Sequence, residues 1–188
     1  MRAFVALDLD PGTRARFAES LADLRASPSS RSLRCVDPEQ MHLTVKFLGD
    51  ISQEQADAVA RAMQTLATEA APRIHGATFT GFPQPGRARV LAFELTDDGR
   101  SARLASLVED ALAPLGFPRE TRPFRPHVTL ARCRQPIDAR TFSVAPIALD
   151  AAWAGLTLYQ SHLTPPPPRY EPIHRLSLGP PRLTPAWD

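Results

Sequence analysis

Lysine is almost missing from this chain. Lys46 is the only one, and the other 21 of its 22 basic side chains are arginines. Cysteine is equally scarce. Cys35 and Cys133 stand far apart, with no Cys-x-x-Cys and no Cys/His pair at ligand spacing. That argues against a zinc site and a disulfide framework, and reduced thiols are the expectation. Long apolar runs are also lacking. Asp8 and Asp10 break the opening Met1–Leu7 stretch before it reaches signal-peptide length, and no segment approaches the length of a membrane span. A soluble, cytoplasmic protein without a membrane partner is expected. Excess charge is absent: a net +2 neither demands nor excludes a nucleic-acid partner. With 188 residues and 43% hydrophobic content, the chain suits one compact domain or two lobes sharing a core. Nothing suggests more than a monomer.

What is present is one short pattern, twice. Met41-His42-Leu43-Thr44-Val45 and Pro126-His127-Val128-Thr129-Leu130 each set a histidine and a threonine two apart in an apolar, β-branched run. On a strand, residues i and i+2 share a face. Each copy therefore presents an imidazole and a hydroxyl together, with Leu43 and Val45, or Val128 and Leu130, packing behind. A histidine takes or gives a proton near neutral pH, and two of them facing each other can perform both halves of an acid–base reaction.

The surroundings repeat as well. A strand over Ala3–Leu9 leads through Asp10-Pro11-Gly12 into a helix with Phe17, Leu21 and Leu24 on one face. A short strand over Leu33–Val36 precedes the motif strand His42–Leu48, which Gly49-Asp50 is expected to end. Ser52 and Gln55 read as a capping box for a helix carrying Ala56, Val59, Ala60, Met63, Leu66 and Ala67. In the second half, a strand over Arg89–Leu95 and a helix with Leu104, Leu107, Val108, Ala111, Leu112 and Leu115 lead to the motif strand His127–Ala131. The segment Val5–Leu9 overlies Leu91–Leu95 at an offset of 86, and the histidines are offset by 85. Pseudo-repeats at about 1–80 and 86–165 are expected, within one bilobal domain over 1–178. Further strands are expected over Ile74–Phe82, Phe142–Leu149, Trp153–Leu163 and Tyr170–Leu178. Pro165–Pro168 form a stiff connection, and 179–188 a proline-rich tail lying loosely on the surface.

The segment Arg34–Gly49, read RCVDPEQMHLTVKFLG, resembles the first signature of the 2H phosphoesterase superfamily. Phe124–Arg132, read FRPHVTLAR, resembles the second. Together with Arg2–Asp8 and Leu158–Ser161, they are similar to one branch, the RNA 2′,3′-cyclic phosphodiesterases, also called 2′-5′ RNA ligases. The chain departs from that branch in lacking a tryptophan near Cys35 and in carrying prolines 165–168 where a glycine-containing turn is common. The resemblance implies an α+β fold of two similar lobes, whose antiparallel sheets form a central cleft with helices on the outer faces. It implies hydrolysis of RNA 2′,3′-cyclic phosphate ends to 2′-phosphomonoesters, with 2′-5′ ligation as the reverse. No metal or other cofactor is implied. His42 is the implied proton donor and His127 the proton acceptor, while Thr44 and Thr129 bind the phosphate.

Other residues are candidates for substrate contact. Arg132 is a phosphate-contacting position in relatives, but strict alternation puts it opposite His127 unless the strand bulges first. Alternation places Lys46 on the face of His42 and Thr44, in the site or at its rim. Phe47 offers a ring for base stacking, although parity assigns it to the core. Arg122 and Arg125 flank the second motif and could steer an RNA backbone. Tyr159 and Trp153 read first as packing residues, and His75, His162 and His174 as lone histidines. Two alternatives stay open: a cyclic phosphodiesterase acting on small nucleotides or an ADP-ribose cyclic phosphate, and a non-catalytic RNA-end binder.

Overall fold

The computed structural model describes residues 1–164 and 168–181. Prolines 165–167 of the expected stiff connection, and positions 182–188 of the expected tail, lie outside them. Among the described residues, nine strands and three α-helices follow in the order β1 (Arg2–Asp8), α1 (Pro11–Ala26), β2 (Leu33–Cys35), β3 (His42–Asp50), α2 (Gln53–Met63), β4 (Arg73–Phe82), β5 (Ala88–Thr96), α3 (Arg100–Leu112), β6 (His127–Ile137), β7 (Ile147–Ala152), β8 (Gly155–His162) and β9 (Arg169–Leu176). Two antiparallel sheets result, one ordered β3-β1-β8-β9 and the other β2-β6-β5-β4-β7. No described helix is long and apolar enough to cross a membrane.

Local chemistry accounts for the helix starts. Asp10 accepts the Thr13 amide with Pro11 at the first turn. Ser52 and Gln55 exchange reciprocal bonds of 3.1 and 3.0 Å at the start of α2. The apolar stripes Phe17-Leu21-Leu24 and Leu104-Val108-Leu112 are buried as their spacing requires.

The sheets do not follow the two halves of the chain. β8 and β9 return from the C-terminal end to complete the first sheet, while β2 and β4 join the second. The helices interlock too. Phe17 of α1 packs on Phe93 of β5 with ring centroids 4.8 Å apart, and Glu109 of α3 bonds Lys46 of β3. One continuous core, including Val5, Leu7, Phe17, Phe93, Leu130 and Leu158, therefore lies behind both sheets. The pairs β3-β1-β8 and β6-β5-β4 correspond: Phe4 pairs with Tyr159 as Val90 pairs with Phe82, and Ala6 with Thr157 as Ala92 with Thr80.

Three expectations need correction. The strand expected over Phe142–Leu149 begins only at Ile147, because Pro146 has no amide to donate and 139–141 form a 3₁₀ turn. Gly49 does not end the first motif strand. At φ +74° it adopts a conformation that favours glycine, and pairing with Ala3 continues beyond an extra residue, Leu48. Gly179 is not loose: its amide donates to the Glu69 carbonyl at 2.8 Å and its carbonyl accepts the Ala71 amide at 2.9 Å.

Candidate active site

Strand alternation puts the motif side chains on the faces turned away from the core. Leu43 and Val128 are fully buried behind, while His42, Thr44, His127 and Thr129 keep surface on the open side. Each histidine is anchored alike. His42 Nδ1 lies 2.7 Å from the Gln40 carbonyl, and His127 Nδ1 lies 2.7 Å from the Arg125 carbonyl. A carbonyl only accepts, so each Nδ1 carries the proton and each Nε2 is left for chemistry. Thr44 Oγ1 stands 3.1 Å from His42 Nε2.

A bulge follows each motif, and sequence parity could not foresee it. Across from β1, Val5 pairs with Lys46 and Ala6 with Thr44, so Val45 is extra. Across from β5, Leu91 pairs with Ala131 and Ala92 with Thr129, so Leu130 is extra. The extra residues lie at the same offset, 85, as the histidines. After each bulge the faces exchange. Arg132 thereby joins the face of His127 and Thr129, meeting the condition set for it, and its charge depresses the pKa of His42. Phe47 joins the face of His42 at the equivalent position and is 70% exposed, so it is not a core residue. Lys46 turns the other way. It is 7% exposed, bonded to Glu109 at 2.6 Å and to the Pro118 carbonyl at 2.8 Å. It lies neither in the site nor at its rim.

The lobes differ around their histidines. His42 sits in an aromatic nest, with Phe4 4.9 Å and Tyr170 5.1 Å from it by centroid, and Tyr159 stacked on Phe4 at 5.3 Å. The Gln40 side chain accepts the Tyr170 amide at 2.8 Å, tying β9 to the His42 anchor. Asp8, paired with His42 across the strands, accepts hydroxyls from Thr157 and Tyr159, both at 2.6 Å. Burial, and then the Asp8 bond and charge, raise the Tyr159 phenol well above its ordinary pKa, so it stays a donor. In the other lobe Glu94 pairs with His127, but Arg125 neutralises it through two bonds of 2.8 and 2.9 Å. Arg125 also lies 4.3 Å over Phe82, whose ring is 4.6 Å from His127. Its donors are thus engaged within the protein.

Burial lowers the pKa of His42. The Gln40 carbonyl and Asp8 pull it up, and Arg132 and His127 push it down. β3 and β6, the strands that carry the two histidines, lie against one another where the two sheets meet. Asp8 and Glu94 escaped the sequence reading. The signal was there, an acid at one place in both aligned strands, but only pairing shows that each faces its histidine. Trp153 is buried and donates to Ser101. His75, His162 and His174 bond Asp98, Glu171 and Gln64. Arg122 pairs with Glu120.

Relatives carry the same architecture. The LigT like phosphoesterase family matches residues 7–92 and 95–170. An RNA 2′,3′-cyclic phosphodiesterase of Thermus thermophilus is 32% identical over 188 aligned residues, covering 95% of this chain and 90% of the relative. The crystal structure of TT0787 from Thermus thermophilus superposes with a TM-score of 0.79 at 31% identity, covering 95% of this chain and 98% of that one. Escherichia coli LigT complexed with 3′-AMP superposes with a TM-score of 0.74 at 26% identity, covering 94% and 97%. Matched along both halves and in both sheets, the chain belongs to the LigT like phosphoesterase family.

Proposed function

We propose that the protein hydrolyses 2′,3′-cyclic phosphate ends of RNA to 2′-phosphomonoesters, without a metal, by a His42/His127 acid–base pair. The observation that carries this reading is the matched anchoring of both imidazoles, each with Nε2 directed away from its carbonyl anchor on the open face. Water attacks phosphorus in line with the 3′ oxygen. His127 Nε2 takes the water proton as the new P–O bond forms. The P–O3′ bond breaks, and His42 Nε2 delivers its proton to O3′. Thr44 and Thr129 donate to the non-bridging oxygens, with Arg132 beside them, where charge builds in the transition state. Phe47 offers its exposed ring to the terminal base. With a 5′-hydroxyl end in place of water as the nucleophile, the same steps join it to the cyclic end: the new P–O5′ bond forms, the P–O3′ bond breaks, and a 2′-5′ linkage results.

The lobes' asymmetry supports this polarity. Asp8 accepts only hydroxyls, so its charge remains available to favour a His42 imidazolium. Glu94 is neutralised by Arg125, which leaves His127 suited to accept. In the free protein His42 titrates below its ordinary 6.5, and a bound phosphodiester anion acts the other way. NMR titration of His42 therefore gives a midpoint below 6.5, which rises when a nucleoside 2′-phosphate saturates the site. In D8N the free-protein midpoint falls further. An unchanged midpoint in D8N would refute the electrostatic role of Asp8.

Product analysis on an oligoribonucleotide ending in a 2′,3′-cyclic phosphate tests the activity, with and without chelator. A 2′-phosphate product at an undiminished rate in chelator is expected. Loss of turnover on chelation, or a 3′-phosphate product, overturns the mechanism.

A further inference from the structure

Arg34 has no part in the chemistry above, yet its position is unusual. It lies on β2, the edge strand beside β6, and pairs directly with Arg132. Side chains of paired residues point to the same face. Leu33 and Cys133, also paired, turn to the core, whereas Arg34 and Arg132 are both exposed on the face of His127 and Thr129. Like charges directly opposite on neighbouring strands oppose each other. Neither guanidinium has a carboxylate partner among the described residues; other exposed arginines such as Arg61 and Arg134 share that, and what sets Arg34 and Arg132 apart is that they face each other across a strand pair. An uncompensated pair of this kind is relieved by an anion lying across it.

From these observations we infer that Arg34 and Arg132 form a second phosphate subsite, which holds the phosphodiester on the 5′ side of the terminal nucleotide. The inference rests on the function proposed above. Arg132 is the member near the reacting phosphate, since it lies on β6 itself, on the same face as His127 and Thr129. Arg34 lies one strand further out, with paired Cα atoms about 5 Å apart, toward the sheet edge. A 2′,3′-cyclic end has no chain beyond its 3′ side. The next phosphate can only hang from the 5′ oxygen of the same ribose, so a cation just outside the reaction centre meets that group. The subsite thus favours an RNA chain, or a nucleotide with a 5′-phosphate, over a nucleoside cyclic phosphate with a free 5′-hydroxyl.

The test uses R34A and R34K of the full chain with three substrates: adenosine 2′,3′-cyclic phosphate, its 5′-phosphorylated form, and a short oligoribonucleotide with a cyclic end. The wild type turns over the first substrate whether or not the subsite exists, and failure there counts against the proposed function rather than against Arg34. R34A is expected to lower kcat/KM about tenfold on the two 5′-phosphorylated substrates and to leave the 5′-hydroxyl substrate within about twofold. R34K should recover part of the loss, because a point charge replaces a two-pronged donor. The dependence of log KM on log salt for the oligonucleotide should flatten by about 0.7 in R34A, one phosphate contact on a single strand. An equal loss on all three substrates would make Arg34 a general structural or catalytic residue. No loss on the phosphorylated pair would remove the subsite. Either result overturns the inference.

Discussion

Alanine at His127 lowers turnover of a 2′,3′-cyclic end by about 10²–10⁴-fold, the range typical of one positioned acid or base, and alanine at His42 does the same. The two substitutions together should cost far less than the product of their separate effects, because groups that act as a unit are not additive. His127 provides the cleaner experiment. It is partly exposed and outside the core cluster, with its ring beside Phe82, so its removal leaves the core intact. His42 packs against Phe4 and Tyr170, so its variant needs a thermal melt beside the rate. Single-turnover measurement on a cyclic-ended oligonucleotide separates chemistry from binding. A variant at either position that keeps more than a tenth of wild-type turnover would end the two-imidazole mechanism.

Much of this arrangement can be read from the sequence, because two periodicities carry it. Alternation of period 2 in Leu43-Thr44-Val45 and Val128-Thr129-Leu130 sets motif residues against core residues, and buried Leu43, Leu130 and Val128 obey it. The stripe of period 3.6 in α3 is equally plain. What alternation cannot carry is an inserted residue. The bulges at Val45 and Leu130 reverse everything after them, exchanging the expected places of Lys46 and Phe47 and bringing Arg132 to the open face. A bulge leaves little local signature here: Val45 and Leu130 are ordinary strand residues. Pairing with β1 and β5, whose residues flanking the bulges lie 37 to 41 positions away in sequence, decides it. The acids facing the histidines were hidden for the same reason. Asp8 reads as the end of an apolar run, and Glu94 as the polar member of an alternating strand, until their partners across the sheet are known. The exchange of β8 and β9 into the first sheet is likewise a matter of long-range pairing.

The place of Lys46 separates a strictly alternating strand from a bulged one. On a strictly alternating strand, its removal would act on substrate. In the structure it lies behind the sheet, where the Lys46–Glu109 pair is 6% and 13% exposed by side chain and the Pro118 carbonyl takes a second ammonium proton. Replacing Lys46 with methionine keeps the stem's apolar packing but leaves the Glu109 carboxylate without its cation. Breaking a buried pair on one side costs about 3–5 kcal/mol. Urea unfolding of K46M should show that loss as a lower midpoint at an unchanged slope. The folded fraction should retain wild-type kcat and KM, because the ammonium is on the far side of β3 from His42. Changing both partners, K46M with E109L, should recover most of the loss, since an apolar pair of similar volume needs no compensating charge. A K46M variant as stable as wild type but raised in KM would return the ammonium to the cleft, and the bulge at Val45 would be wrong with it.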